Sequence, residues 1–303
     1  MWSLRYRNRR RDPGFGLDLF DLKNLQRRPR SENEAAIRKL CATSYLGDGL
    51  ALGRVLGRYK MFVDTSDVGL SSHLMLDGHW EMWLTKALAG VVKPGMVVVD
   101  IGANLGYFTL LMADLVGAEG AVHAFEPNPA VADRLAKSID VNGFRERVSL
   151  HRDPLGEQDG VQVFLAVPVG EPKNAHLTPH ANSVGAVGVT TRRFDSYPGL
   201  LEADVIKIDA EGAELGIWRG MSGRLARHSK PLIVFLEFTA VRYSDPGLFL
   251  DEILASGFGL AEVDMIEGVR QRTRDQILAA PPKIDQMLML ERRAFNETRS
   301  QRL

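Results

Sequence analysis

From about residue 96 onward, short apolar runs alternate with amphipathic stretches. Met96–Ile101, Ala121–Phe125, Val148–His151, Val205–Ile208 and Leu232–Leu236 are rich in Val, Ile, Leu and Phe. Near-continuous runs of this kind predict strands covered on both faces, as in a parallel sheet. Between them, apolar residues recur at helical spacing: Leu105, Phe108, Leu111, Met112 and Leu115 in one stretch, Val131, Leu135 and Ile139 in the next. The second predicted helix also has readable ends, with Asn128 as N-cap, Pro129 at the first helical position and Asn142-Gly143 as a stop. This alternation predicts an α/β, Rossmann-like, doubly wound and mostly parallel sheet with right-handed crossovers. Gly257–Asp264 and Gln286–Glu291 predict two more strands, the last antiparallel at the far side of the sheet.

Other segments break the rhythm. Val161–Val167 and Ser183–Phe194 have the look of extended insertions. Upstream, Ser31–Leu40 is helical in character and Leu50–Val63 alternates like a strand. Glu81–Leu88 reads as a helix, with Trp80, Trp83, Leu84, Ala87 and Leu88 apolar and Gly90 and Pro94 closing it. The division expected is a basic N-terminal segment (1–35), a cap packed over the sheet's binding edge (36–95), a Rossmann-like domain (96–293) and a short tail (294–303).

Composition narrows the class. The chain has 303 residues, 45% hydrophobic and 25% charged, which is enough apolar material for a full core in a soluble domain. Its formal net charge of zero gives no broad attraction for nucleic acid or acidic membranes. Arg5, Arg7, Arg9, Arg10, Arg11, Arg27, Arg28 and Arg30 crowd the start and read as a solvated tail. Cys41 is the only cysteine, so neither an intrachain disulfide nor a multi-cysteine zinc site can form. Asp12, Asp18 and Asp21 interrupt any secretory apolar stretch, and no run approaches the roughly 20 apolar residues of a membrane span. A cytoplasmic location is the expectation.

Candidate chemistry lies where open α/β sheets bind ligands, beyond the carboxyl ends of the strands. The first strand ends in Asp100-Ile-Gly102-Ala-Asn104-Leu-Gly106, whose glycines allow a tight turn and close backbone approach. The spacing Asp-x-Gly-x-x-x-Gly differs from the Gly-x-Gly-x-x-Gly of dinucleotide binders, which set a pyrophosphate on the following helix. An acid such as Asp100 suits an ammonium or sulfonium group better than a pyrophosphate, and so points to S-adenosylmethionine. The second strand ends at Glu126-Pro127, where a carboxylate can accept both hydroxyls of a ribose. The third runs into Asp153, placed for an adenine amino group.

Three stretches together resemble the FkbM-type methyltransferases: Asp100-Ile-Gly-Ala-Asn-Leu-Gly-Tyr-Phe-Thr109, Phe125-Glu-Pro-Asn-Pro129, and Ile206-Lys-Ile-Asp-Ala-Glu-Gly-Ala-Glu214. The resemblance spans roughly Gly78 to Arg292, with a Gly-x-x-Glu at Gly78–Glu81 and an apolar strand ending in Glu237. Ala210 departs from the valine usual there. The resemblance implies a seven-stranded sheet and methyl transfer, usually to a hydroxyl of a natural product or sugar, and so a small-molecule or glycan acceptor with no nucleic-acid partner.

Methyl transfer to a hydroxyl depends on alignment and gains from a base or a metal. Asp209, at the end of the fourth strand, and Glu237, at the end of the fifth, are the candidate catalytic residues, as base or as ligands of a divalent cation. No ligand spacing requires that cation. Glu211 and Glu214 suit the N-terminus of the next helix. His73, His79, His176 and His180 are further candidates for a base, and Trp80 and Trp83 for an acceptor wall, although packing explains each as well. Two other classes fit parts of the pattern: a nicotinamide-dependent oxidoreductase, opposed by the glycine spacing, and a non-catalytic S-adenosylmethionine-binding protein. A nucleic-acid methyltransferase would carry Asn/Asp-Pro-Pro-aromatic where this chain has Asp209-Ala-Glu-Gly212. Oligomeric state has no sequence signal.

Overall fold

The computed structural model describes residues 18–168, 170, 175–178, 186–227 and 230–293. Arg5 to Arg11, His180, the start of the Ser183–Phe194 insertion and the tail from 294 lie outside the described residues. Helices α1 (Asn24–Arg27) and α2 (Arg30–Leu40) lead into an antiparallel three-stranded sheet, β1 (Thr43–Gly47), β2 (Leu50–Val55) and β3 (Tyr59–Asp64). The alternation over Leu50–Val63 is thus two strands. They are joined at Leu56-Gly57, where φ is 51° and 59°, the left-handed pair a tight hairpin requires. Helices α3 (Leu70–Leu76) and α4 (Met82–Val91) follow.

The main sheet then begins with β4 (Val97–Ile101), α5 (Tyr107–Val116), β5 (Ala121–Phe125), α6 (Pro129–Val141) and β6 (Val148–His151). Asn128 caps α6 as its residue type predicts, its side chain accepting from the Ala130 amide. A second small antiparallel sheet interrupts: β7 (Gln162–Ala166), β8 (His176–Thr178) and β9 (Val187–Thr190). The main sheet resumes with β10 (Val205–Ile208), α7 (Glu214–Gly220), α8 (Ser222–Leu225), β11 (Leu232–Phe238) and α9 (Pro246–Ala255). It ends with β12 (Gly259–Asp264), β13 (Gly268–Gln271), α10 (Arg274–Leu278) and β14 (Gln286–Arg292).

Spatial order is β13-β12-β14-β11-β10-β4-β5-β6. The strands from β11 to β6 run parallel, and β14 is antiparallel to both β11 and β12. Seven of these strands are the number the resemblance implied. The eighth, β13, is a hairpin return from β12 that extends the sheet at one edge. Chain direction across the sheet reverses between β4 and β10, the switch point at which ligands bind in such folds.

Each central strand is buried on both faces, which is why its apolar run is unbroken. Val98, Val205 and Phe235 pack with α4, α5 and α6 on one side, while Val99, Ile206, Val234 and Leu236 pack with α7 and α9 on the other. The N-terminal sheet is fastened to α6. The Phe62 amide donates to Ser138 Oγ at 3.0 Å, the Lys60 amide to Asn142 Oδ1 at 3.0 Å, and Arg134 pairs with Asp64 at 2.5 Å. The Val68 amide donates to the Gly170 carbonyl at 3.2 Å, tying the β7–β9 insertion to the segment before α3. Among the described residues, no helix is long and apolar enough to cross a membrane.

Candidate functional site

A cavity of about 360 Å³ opens at the carboxyl ends of β4, β5, β10 and β11. At its floor is the loop after β4, whose glycines are required by close packing. Gly102 has φ +74°, and a β-carbon there would fall 1.8 Å from the Asp209 carbonyl oxygen. Gly106 has φ +93°, and its missing β-carbon makes way for Leu135 of α6. The freedom of Gly102 thus serves the approach of β10.

The amides of this loop are all used internally. Gly102 and Ala103 donate to the Phe125 carbonyl at 3.1 and 2.9 Å, and Gly106 donates to the Ala103 carbonyl at 2.9 Å. Asn104 donates to Glu126 Oε2 at 2.9 Å, and Leu105 to Asn104 Oδ1 at 2.8 Å. A pyrophosphate cradle needs such amides free and convergent. Here they are spent.

Glu126 closes the loop from the side of β5. Its second oxygen accepts from the Asn128 amide at 2.8 Å. Burial pushes this carboxyl up to about 7, against the pull of the two amides. Asp153, after β6, accepts from the Tyr197 hydroxyl at 2.7 Å. Tyr197 packs edge-on to Phe125 and His151, and the His151 ring stacks on Phe125 at 4.4 Å. Burial, with the adjacent His123, pushes His151 down to about 4, so this wall is neutral and aromatic. Gly102, Asn104, Glu126, Pro127 and Asp153 all line the cavity.

Asp100 and Gly106, expected from the sequence to bind the cofactor, do not line the cavity. Asp100 is fully buried, with Oδ2 accepting from Thr109 Oγ1 at 2.6 Å and Oδ1 lying 3.4 Å from Lys207 Nζ. Burial raises its carboxyl, with Lys207 and Thr109 opposing.

The other half of the site is built from ion pairs. Lys207 is buried in β10, and its ammonium lies 3.2 Å from Asp209 Oδ2 and 3.4 Å from the Gly102 carbonyl. Burial works against its charge, and the Asp209 and Asp100 carboxylates more than reverse that. From β11, Glu237 accepts from Arg242 at 2.5 Å, and the same guanidinium reaches Glu211 at 2.7 Å. Burial and the neighbouring Asp209 push Glu237 upward, with Arg242 opposing. Glu214 is fully buried and closes the turn before α7, accepting from the amides of Ala210 and Gly212 and from the Tyr243 hydroxyl. Asp209, Glu211, Glu237, Arg242 and Lys207 line the cavity together, and Glu214 does not.

Lys207 and Arg242 were not singled out from sequence. The signal for Lys207 was a charged residue inside the apolar run Val205–Ile208; Arg242 gave none. Trp80 and Glu81 line the cavity, whereas Trp83 packs against the core. Glu81 has φ 35°, an uncommon conformation for a glutamate. His176 of β8 also lines the cavity, and His73 lies beside Asp77. Among the described residues, no group of three or more His, Cys, Asp or Glu side chains is arranged to hold a metal ion.

The strand order, the antiparallel β14 and a closed glycine loop beside a strand-end glutamate define a Rossmann-like methyltransferase fold. Residues 100–289 match the methyltransferase FkbM domain, and the chain belongs to that family. It is similar to the hexuronic acid methyltransferase AglP of Haloferax volcanii, at 26% identity over 193 residues, covering 59% of this chain and 76% of that one. It is also similar to Methyltransferase 1 of Beauveria bassiana, at 27% identity over 146 residues, covering 41% of this chain and 57% of the relative. The chain therefore spans little more than half the length of that fungal protein. Among solved structures, that of M. jannaschii TYW2 in complex with AdoMet aligns with TM-score 0.44 and 14% identity, covering 82% of this chain and 89% of that one.

Proposed function

We propose that this chain is an S-adenosylmethionine-dependent methyltransferase acting on a hydroxyl of a small molecule or glycan, in a cytoplasmic setting that suits its lone half-buried Cys41. The observation that carries the cofactor reading is the closed loop at Gly102–Gly106, whose amides are all bonded within the chain. The loop itself offers a pyrophosphate no unbonded amide, which disfavours a nicotinamide dinucleotide. The residues present fit S-adenosylmethionine. Glu126 is a buried carboxyl with lone pairs to spare for a ribose diol. Phe125, Asp153 and Leu155 line the cavity where an adenine needs an apolar wall and one polar partner, and the acid-rich floor suits a sulfonium. When bound, this cofactor supplies an electrophilic methyl group on sulfur.

The chain's own residues then do the rest. Asp209, partly exposed at the rim, takes the proton of the acceptor hydroxyl. Glu237, held by Arg242, fixes the acceptor's orientation. The β7–β9 insertion, through Leu165, His176 and Leu177, walls the acceptor side and excludes water. The hydroxyl reading is supported by the family resemblance and by Asp209, a carboxylate beside the cavity that can take a hydroxyl proton.

Calorimetric titration with S-adenosylhomocysteine and with NAD tests the cofactor: binding of the first and not the second is expected, and the reverse ends the reading. For chemistry, tritiated methyl transfer into a polar metabolite extract is followed by separation of the labelled products. Methyl ethers are expected from the wild type. Asp209→Asn should bind S-adenosylhomocysteine as the wild type does and lose transfer by about a hundredfold or more. An active Asp209→Asn protein removes that residue from proton transfer.

A further inference from the structure

Lys207 is buried in a strand of otherwise apolar residues, and its ammonium meets three groups drawn from different parts of the site. Asp209 Oδ2 is at 3.2 Å, Asp100 Oδ1 at 3.4 Å and the Gly102 carbonyl at 3.4 Å. The face of Phe108 lies 5.4 Å away on another side. A buried ion cluster of this kind seldom stabilises a fold more than well-packed apolar side chains of the same volume would. What the ammonium does supply is a fixed placement for its partners. Asp209 is the partner with one side open to the cavity, and Gly102 belongs to the loop that bounds the cofactor half.

Building on the proposed function, we propose that Lys207 is a positioning residue, whose single ammonium holds the loop carbonyl of Gly102 and the carboxylate of Asp209 in fixed register, so that donor and acceptor halves meet at one geometry. Asp100 and Thr109 beneath it make the ammonium's own position rigid: the Thr109 hydroxyl fixes Asp100 at 2.6 Å, and Asp100 anchors Lys207 from the side opposite the cavity. The lysine acts through Asp209, and an error of about 1 Å in such a group is enough to lower a rate about a hundredfold.

Protein labelled with ¹⁵N-lysine provides a test that needs no acceptor. A buried, hydrogen-bonded ammonium exchanges slowly enough to be seen, and Lys207→Met assigns its resonance. Should that variant fail to fold, Asp100→Asn/Lys207→Met leaves neither charge uncompensated and assigns it instead. The Lys207 resonance is expected to move in Asp209→Asn and to move again when S-adenosylhomocysteine is added. A resonance indifferent to Asp209→Asn makes Lys207 a mere counter-ion of Asp100 and overturns the proposal. If S-adenosylhomocysteine binds no form of the protein while Asp209→Asn still moves the resonance, the cofactor reading fails and the positioning stands.

Tritiated methyl transfer into serial dilutions of the metabolite extract adds the functional arm. Asp100→Asn/Lys207→Met should lose about a hundredfold in plateau rate, with the half-saturating dilution unchanged. Adding Asp209→Asn to that background should lower the rate no further. Losses that multiply would show that Lys207 does not work through Asp209.

Discussion

The two halves of the cavity hold their carboxylates by different means. On the side of β5 and β6, Glu126 and Asp153 are tied by neutral donors: two backbone amides for the first and a phenol for the second. On the side of β10 and β11, Asp209, Glu211 and Glu237 are tied by cations, Lys207 and Arg242. Neutral donors set a carboxylate's position without a counter-charge, and burial then raises its hold on a proton, as for Glu126. Cationic partners hold a carboxylate in place and oppose the rise that burial and crowded acids impose, as Arg242 does for Glu237. A surface that must accept hydrogen bonds from a bound ribose is served by the first kind. One that must manage a proton is served by the second. The division matches the roles proposed for the two halves.

Four substitutions test this division, taken from the largest expected effect to the smallest. Gly102→Ala breaks the seam between the halves, because its β-carbon would sit 1.8 Å from the Asp209 carbonyl. A loss of about 4 kcal/mol in urea unfolding is expected, combining backbone overlap with a left-handed φ. A loss below about 1 kcal/mol would mean that β10 and the loop separate easily.

Glu126 tests the neutral half through pH. Its folded value of about 7 lies above the ordinary 4.5, so the folded protein binds this proton more tightly than the unfolded chain does. That contribution is complete below about pH 4.5 and is lost as pH rises to about 7, a fall of about 3 kcal/mol. Glu126→Gln should flatten this segment of the stability–pH curve and weaken S-adenosylhomocysteine binding. An unchanged slope would place the titration on another group.

Arg242→Met tests the cationic half, leaving Glu211 and Glu237 without their shared partner. Because the group is partly exposed, a loss of about 2 kcal/mol is expected in the same urea assay. Adding Glu237→Gln should restore most of it, and failure to do so would show that Arg242 matters for packing. Tyr197→Phe is the mildest, removing one neutral bond to Asp153 for about 1 kcal/mol, with cofactor affinity changed by no more than about threefold.

The central strands were legible because burial on both faces leaves unbroken apolar runs, and the observed bounds fall within two residues of those read from Met96–Ile101, Leu232–Leu236 and Gly257–Asp264, whereas the last strand, expected at the sheet's far side, lies between β11 and β12. Asn128 and Pro129 announced α6 by the same local logic. The cavity's neutral half was also legible, since strand-end acids and glycines sit at fixed offsets from the runs. Gly102 was read as making room for a ligand, and the structure shows it making room for β10. That difference was invisible because the contact joins segments far apart in the chain. Arg242 was hidden for the same reason: an ion pair depends on where a turn delivers a side chain, and no periodicity records that. The alternation over Leu50–Val63 concealed a hairpin because Leu56 carries no residue-type signal for a left-handed turn.

The Gly102–Asp209 contact also bears on the order in which this protein can become competent during synthesis. Strands β4, β5 and β6 are made early and can pair with one another, but the loop that follows β4 meets the residue after β10 only when that later strand is in place. A nascent chain released as far as α6 would have the glycine loop bonded to Phe125 and Glu126 yet would lack Lys207 and Asp209 on its other side. Long-range pairing of this sort is reached late, after loop closure across the intervening segments. Cofactor capture would then be an event of the finished sheet, and cofactor added during refolding should speed none of the steps that precede the docking of β10 on β4.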